Sequence, residues 1–317
     1  MIAVLGLGSI GLRHARNALA LGEAVIGCDP SPERRALLEA DGGTVTGSRD
    51  AALAAAGACV IATPSDRHED DLAAAIEAGR HALVEKPMGH RIGRLPELLE
   101  QAESSGVVIA AALNLRLHPC VRIAKAILSE GELGRVLWGR FLAALYLPDW
   151  RPGQDWTQGY ANDPRTGGAI FDYIHEFDLA AHLLGMFTPI ACSARNSGTL
   201  GLASEDMADA MLSHPGGIIS SVHVDYVTRP RMRGFYIAGT EGHIHVDLDR
   251  RHIRRIDSSG EVLLDQTLDG GYGDDYITEM AAFLASLKGA PPVCGGREAL
   301  AVLEGVIRAR SLAGLPS

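Results

Sequence analysis

The first third of the chain alternates short apolar runs with amphipathic, alanine-rich segments. Residues 2–5, 24–28, 59–62, 82–84 and 107–113 are apolar runs of strand length, and a shorter one surrounds Val45. Helical spacing of apolar residues between them predicts β-α-β units around a parallel sheet of six strands. One helix is expected after Pro64, ending near Gly79, since proline suits a helix start and glycine a helix stop. Beyond residue 115 the pattern changes. A helix is predicted over 119–129, an apolar run over 136–147, a loop rich in Trp, Pro and Gly over 148–164, and a helix over 168–184. Residues 191–264 read as strands, with alternation in Ile218-Ile219-Ser220-Ser221-Val222-His223-Val224 and turn signals at Pro215-Gly216-Gly217, 239–242 and 258–260. This predicts an antiparallel sheet of five or six strands. Two helices, near 275–286 and 296–312, complete the pattern.

Length and charge narrow the class. A chain of 317 residues exceeds the usual single core, so two domains are expected, over 1–115 and 116–317. Lys plus Arg number 29 against 39 Asp plus Glu, and the net charge of −10 disfavours nucleic acid or an anionic membrane as a partner. The five cysteines, Cys28, Cys59, Cys120, Cys192 and Cys294, are scattered with no C-x-x-C pair, which predicts reduced, buried thiols and no metal site. Met1 leads directly into an apolar strand, with no basic leader and no apolar stretch of about 18 residues, so a soluble, cytoplasmic protein is expected.

Gly6-Leu7-Gly8-Ser9-Ile10-Gly11 follows the first predicted strand and opens a helix. Three glycines at these offsets are common by chance; their position is what carries weight. The first permits the tight turn, the second lets backbone approach a pyrophosphate, the third allows close helix packing, and the helix N-terminus offers donors. Asp29 ends the second strand, about twenty positions on, where a carboxylate accepts ribose hydroxyls and repels a 2′-phosphate. Like charges about 4 Å apart cost on the order of 4 kcal/mol at an effective dielectric near 20, so NAD is expected over NADP. Arg34 and Arg35 stand close enough in sequence to soften that preference, and the alternative for Asp29 is a cap on the helix at Pro32.

Glu85-Lys86-Pro87 follows the fifth strand and puts Lys86 at the carboxyl edge of the sheet, where open α/β folds bind ligands. A cis Lys86-Pro87 bond would turn the ammonium back into a cleft; the alternative is a solvated lysine at a strand end. Asp172 and His175 stand three apart at the start of the predicted 168–184 helix, hence on one face. Oxidising an alcohol requires a base for the hydroxyl proton, and His175 is the candidate. Lys86 would stabilise the developing alkoxide. Asp172 would orient the imidazole, bond a substrate hydroxyl or only cap the helix.

With these motifs in order, the chain resembles the Gfo/Idh/MocA family, named for glucose–fructose oxidoreductase and inositol dehydrogenase. The resemblance rests on the glycine fingerprint, Thr63-Pro64, Glu85-Lys86-Pro87, Asn114-Leu115-Arg116 and residues 167–178, and covers nearly the whole chain. It implies an α/β fold: an N-terminal Rossmann parallel sheet plus a C-terminal α/β domain with an open, mainly antiparallel sheet. It also implies oxidoreduction of a sugar, sugar acid, nucleotide sugar or polyol, and a homodimer or homotetramer formed through that second sheet. Lys86, Asp172 and His175 take the catalytic roles under it, while Gly6, Gly8, Ser9, Ile10, Gly11, Asp29, Thr63, Pro64, His68, Glu85, Lys86 and Asn114 bind the cofactor. Two departures stand out: the family more often separates acid and histidine by four residues, and Ser65 replaces the usual Asn after Thr-Pro.

Substrate contacts are expected from Lys86, Asp172, His175, Arg116, Trp150 and Trp156. The loop over 149–165, with Trp150, Arg151, Trp156 and Tyr160, has the composition of a sugar-binding lid. Arg116, His118, Tyr226, Arg229 and Arg231 form a candidate set for a substrate carboxylate or phosphate. Two other functions fit the same residues. One is a redox-neutral epimerase or glycosidase that retains its NAD, the other a non-catalytic NAD-binding sensor.

Overall fold

The computed structural model describes residues 1–150, 153 and 155–316. The chain divides into two compact units, one of Met1–Asn114 with Gly271–Leu300 and the other of Leu115–Gly270 with the residues from Ala301 onward. The expected division near 115 is therefore corrected in one respect. Residues 271–300, expected in the second domain, belong to the first unit.

In the first unit, β1 (Ile2–Leu5), β2 (Val25–Cys28), β3 (Thr44–Thr46), β4 (Ala58–Ile61), β5 (His81–Val84) and β6 (Ile109–Ala111) form one parallel sheet in the order β3-β2-β1-β4-β5-β6. That order places its topological switch between β1 and β4, the crevice where doubly wound sheets take ligands. Between the strands run α1 (Ser9–Ala20), α2 (Pro32–Ala40), α3 (Arg49–Ala55), α4 (His68–Glu77) and α5 (Leu95–Ser104). The helix expected after Pro64 starts as a 3-10 turn over Ser65–Arg67 and becomes α-helical at His68.

The second unit opens with α6 (Pro119–Ser129), β7 (Val136–Ala144), α7 (Leu147–Trp150), α8 (Ala169–Asp172) and α9 (Ile174–Leu184). The strands β8 (Thr188–Arg195), β9 (Met207–Ser213), β10 (Ile219–Asp225), β11 (Met232–Gly239), β12 (Gly242–Asp247), β13 (His252–Asp257) and β14 (Val262–Thr267) follow. With β7 they make an eight-stranded sheet, β14-β13-β12-β11-β7-β10-β9-β8, antiparallel except where β7 runs beside β10. The sequence pattern predicted five or six strands, because β7 lies far from the others along the chain and β14, mostly exposed, lacks clean alternation. The period of two is clear in β9: Ala208, Ala210 and Leu212 are buried, while Met211 between them is half exposed. Helices α6, α8 and α9 pack on this sheet, and Trp138, Met211, Ile219, Met232 and Tyr236 remain on exposed positions.

The chain closes with α10 (Tyr272–Ser286) and α11 (Gly296–Leu312). Helix α10 packs against α1, and its Met280 and Phe283 complete the core built on Ile2, Val4, Leu12, Ala15, Ala18 and Val60. Cys59, Cys120 and Cys294 are buried, and Cys28 and Cys192 are half-buried. No described helix is long and apolar enough to cross a membrane.

Candidate active site

Carboxyl ends of the parallel strands gather the residues singled out in the first unit. In the 6–11 turn, Gly6 has φ +88°, and a Cβ there would lie 2.6 Å from the Ala62 carbonyl oxygen. A Cβ on Gly11 would lie 1.8 Å from the Gly6 carbonyl oxygen. Both are glycine because the protein itself fills the space. Gly8 differs: among the described residues a Cβ there meets nothing within 4 Å, and no side chain caps the α1 N-terminus behind it. Ser9 is exposed and Ile10 half-buried at the opening of the helix.

Asp29 is buried and accepts the Leu7 N–H at 2.8 Å and the Ser31 N–H at 2.8 Å, tying the end of β2 to the glycine turn. It is not the cap of α2, whose N-cap is Ser31, accepting the Arg34 N–H. The Arg34 guanidinium stands 3.6 Å from the Asp29 carboxylate, and Arg35 donates to the Asp29 carbonyl at 2.6 Å. Thr63, beside Pro64, donates to Asp71 at 2.7 Å. His68 is buried between the Pro87 carbonyl, 2.9 Å from Nδ1, and the Thr63 carbonyl, 2.8 Å from Nε2. Burial lowers its pKa, opposed by those two carbonyls and by Glu85 and Asp71. Lys86 is half-buried after β5 and its bond to Pro87 is cis. Beyond β6 the side-chain amide nitrogen of Asn114 is buried with no hydrogen-bond partner among the described residues.

In the second unit the helix expected over 168–184 is broken. Tyr173, at φ −99° and ψ 34°, separates α8 from α9, so Asp172 ends one helix and His175 lies in the first turn of the next. The shared helical face predicted for the two does not exist. Asp172 is buried and accepts two phenols, Tyr160 at 2.6 Å and Tyr226 at 2.7 Å. Burial and the Asp172 charge push the Tyr226 phenol well above its ordinary range, so it remains a donor. His175 is buried beside it in sequence. Trp150 packs edge-on against Tyr173 and Tyr226, with centroids 5.5 and 6.0 Å away. Trp156 is half-buried and donates from Nε1 to the Leu200 carbonyl at 3.0 Å; Arg151 lies outside the described residues.

Comparison with known proteins decides what these arrangements belong to. Residues 1–113 match the family model described as oxidoreductase family, NAD-binding Rossmann fold, and residues 121–245 match the Gfo/Idh/MocA C-terminal domain. The chain belongs to the Gfo/Idh/MocA family. It is 27% identical over 241 residues to 1,5-anhydro-D-fructose reductase of Ensifer adhaerens, covering 73% of this chain and 69% of that one. With myo-inositol 2-dehydrogenase of Thermotoga maritima it shares 23% identity over 98% of this chain and 96% of the other. Its fold matches levoglucosan dehydrogenase, solved with NADH, at a TM-score of 0.88 and 20% identity, over 99% of this chain and 96% of that chain.

A dinucleotide fits the first unit of this Gfo/Idh/MocA protein. The open side of Gly8, the uncapped α1 N-terminus and the Asn114 amide are unfilled by the chain itself, as pyrophosphate and carboxamide recognition would require. The expected basic set of the second unit does not form. Arg116 is buried in a fork on Asp178, with contacts of 3.0 and 2.6 Å. Arg231 pairs with Asp249, and Arg229 lies over the Tyr146 ring. His118 caps α6, and burial with the nearby Arg251 charge lowers its pKa to about 4, leaving it neutral. Charge compensation by Asp178, spaced 62 residues away, is what the sequence pattern could not reveal for Arg116. A cavity of about 1130 Å³ lies on the open sheet face around Trp138, Met211 and Tyr236, and the Arg231–Asp249 pair is part of its lining.

Proposed function

We propose that this protein transfers a hydride between NAD(H) and an alcohol or ketone of a sugar, sugar acid, nucleotide sugar or polyol. The observation that carries the reading is the glycine turn: two of its glycines are forced by the protein's own atoms and the third only by something that must approach from outside. NAD supplies the hydride acceptor, or NADH the donor, when bound. Gly6, Gly8, Ser9, Ile10 and Gly11 cradle the pyrophosphate, Asp29 takes the ribose, and Thr63, Pro64, His68 and Asn114 shape the rest of that site.

Proton handling falls to His175, which takes the hydroxyl proton during oxidation and returns it during reduction. The Lys86 ammonium favours the developing alkoxide, a contribution of roughly 3–4 kcal/mol for a well-placed donor. Asp172, fixed by two phenols, presents a carboxylate of set orientation to a substrate hydroxyl, and Trp150 and Trp156 offer apolar faces to sugar C–H groups. The same reading places the protein in the cytoplasm and associates it as a dimer or tetramer through the exposed sheet face. A monomeric mass in solution would refute the association.

The function is tested by calorimetric titration with NADH and NADPH. A spectrophotometric panel of myo-inositol, D-xylose, D-gluconate, UDP-glucose, levoglucosan and 1,5-anhydro-D-fructose follows. Tighter binding of NADH, and turnover that falls at least about 100-fold in Lys86→Ala and His175→Ala, is the expected result. Absence of binding to either cofactor would overturn the reading.

A further inference from the structure

His14 lies three residues beyond Gly11 on α1, with its side chain fully buried. Its Nε2 is 2.7 Å from Glu85 Oε1. A carboxylate only accepts, so Nε2 carries the proton. The other oxygen of Glu85 accepts the backbone N–H of Lys86 at 3.0 Å. One carboxylate thus joins the helix that follows the glycine turn to the peptide that carries Lys86. Both oxygens of Glu85 are thus engaged within the first unit, and 7% of the residue is exposed.

The surroundings of the pair are set by the rest of the first unit. His14 Nδ1 has no hydrogen-bond partner among the described residues, and the ring stands edge-on to Tyr276 of α10 at 6.2 Å. Leaving a buried ring nitrogen unpaired is unfavourable, so what holds histidine here is the bond from its Nε2 to Glu85. His68 of α4, Lys86 itself, and Tyr276 and Glu279 of α10 are the other titratable groups that sense Glu85. Burial pushes the Glu85 carboxyl up, but the His14 hydrogen bond, the Lys86 charge and the Lys86 N–H outweigh it and hold the group below the usual carboxylate range. Burial and the Glu85 charge do the opposite to Glu279, whose carboxyl stays protonated well above that range.

We infer that His14 is a positioning residue: by anchoring Glu85 it fixes the Lys86 peptide, and with it the direction in which the Lys86 ammonium is presented. This rests on the reading of Lys86 given above.

The chain has three lysines, Lys86, Lys125 and Lys288, so labelling with 15N-lysine gives three backbone amide signals. In the wild type, the Lys86 signal should shift as Glu85 titrates. In His14→Leu it should titrate at higher pH and exchange with solvent about tenfold faster or more, since its anchor is free to open. Glu85→Gln should abolish the titration. His14→Gln, whose amide reaches the Nε2 position, should restore the wild-type behaviour, while His14→Asn, too short to do so, should not. With the fastest compound of the panel above, His14→Leu should lower kcat by about tenfold or more with little change in KM, and His14→Gln should recover most of it. A Lys86 amide indifferent to His14→Leu, or full turnover in that variant beside an inactive Lys86→Ala, would overturn the inference alone. A Lys86→Ala enzyme as fast as wild type would instead overturn the reading beneath it, and this role with it.

Discussion

Two glycine-rich turns introduce helices in this protein, and Gly8 of the first is glycine for a reason opposite to that of Gly167 and Gly168 in the second. At Gly167 and Gly168 the chain packs on itself. A Cβ on Gly167 would lie 2.1 Å from the Tyr160 carbonyl oxygen, and one on Gly168, at φ +90°, would lie 2.3 Å from the Glu205 carboxylate. That carboxylate is buried, paired with Arg310 at 2.9 Å, and pushed upward by its burial against the opposing Arg310 charge. At Gly8 the backbone is extended with φ −65°, a conformation open to any residue, and the space beside it is free. A forced glycine records the fold, whereas an unforced one in a turn of this kind records what the fold is for.

The largest effect that could break this contrast comes from exchanging each glycine for alanine. Gly168→Ala should destabilise the protein by on the order of 3 kcal/mol, combining a strained backbone with an overpacked site, and thermal melting should show it. Gly8→Ala should melt like the wild type yet bind NADH at least about tenfold more weakly by calorimetry. A Gly8→Ala protein with unchanged affinity would erase the distinction.

An intermediate effect is expected around Asp172, where the partners differ in burial. Tyr226 is fully buried and Tyr160 is 48% exposed. Tyr226→Phe should cost about 2 kcal/mol by chemical denaturation, and Tyr160→Phe under about 1, because water can replace the exposed donor. Equal losses would mean that the two phenols are held alike.

The smallest effect sharpens the contrast between satisfied and unsatisfied carboxyls. Both Glu279 oxygens are buried with no hydrogen-bond partner among the described residues. Its folded-state pKa is raised by burial and by Glu85, while the unfolded chain ionises this group above its usual value, so stability falls as pH rises beyond about 4.5. Glu279→Gln removes that proton linkage. Its melting temperature should gain on the wild type between pH 5 and pH 8 and show no gain near pH 4; a constant difference would mean that Glu279 titrates normally.

Much of the first unit was legible because short, doubly buried strands leave an apolar signature that survives any later packing. All six parallel strands, and the last helix over 296–312, lie where the pattern put them. The helix break at Tyr173 was hidden, since residues 169–184 are buried almost throughout, Asp172, His175, Glu176 and Asp178 included. Periodicity reports which face is buried, and here no face is exposed. Partners far apart in sequence were equally invisible: Arg116 reads as a free cation until Asp178 is placed on it, and His14 reads as one helical residue among many until Glu85 is. The role of Asp172 turned on Tyr226, which the sequence offered only as a neighbour of three arginines.

The first unit is not continuous in sequence, and that has a consequence for its birth on the ribosome. Residues 1–114 emerge early, but Met280 and Phe283, which close the core over Leu12, Ala15 and Ala18, are made more than 160 residues later. Until then α1 would present its buried face, His14 included, to solvent. Synthesis of this chain therefore holds an unfinished sheet open while residues 115–270 of the second unit are made, a window in which the nascent protein is exposed to misassociation and to chaperones.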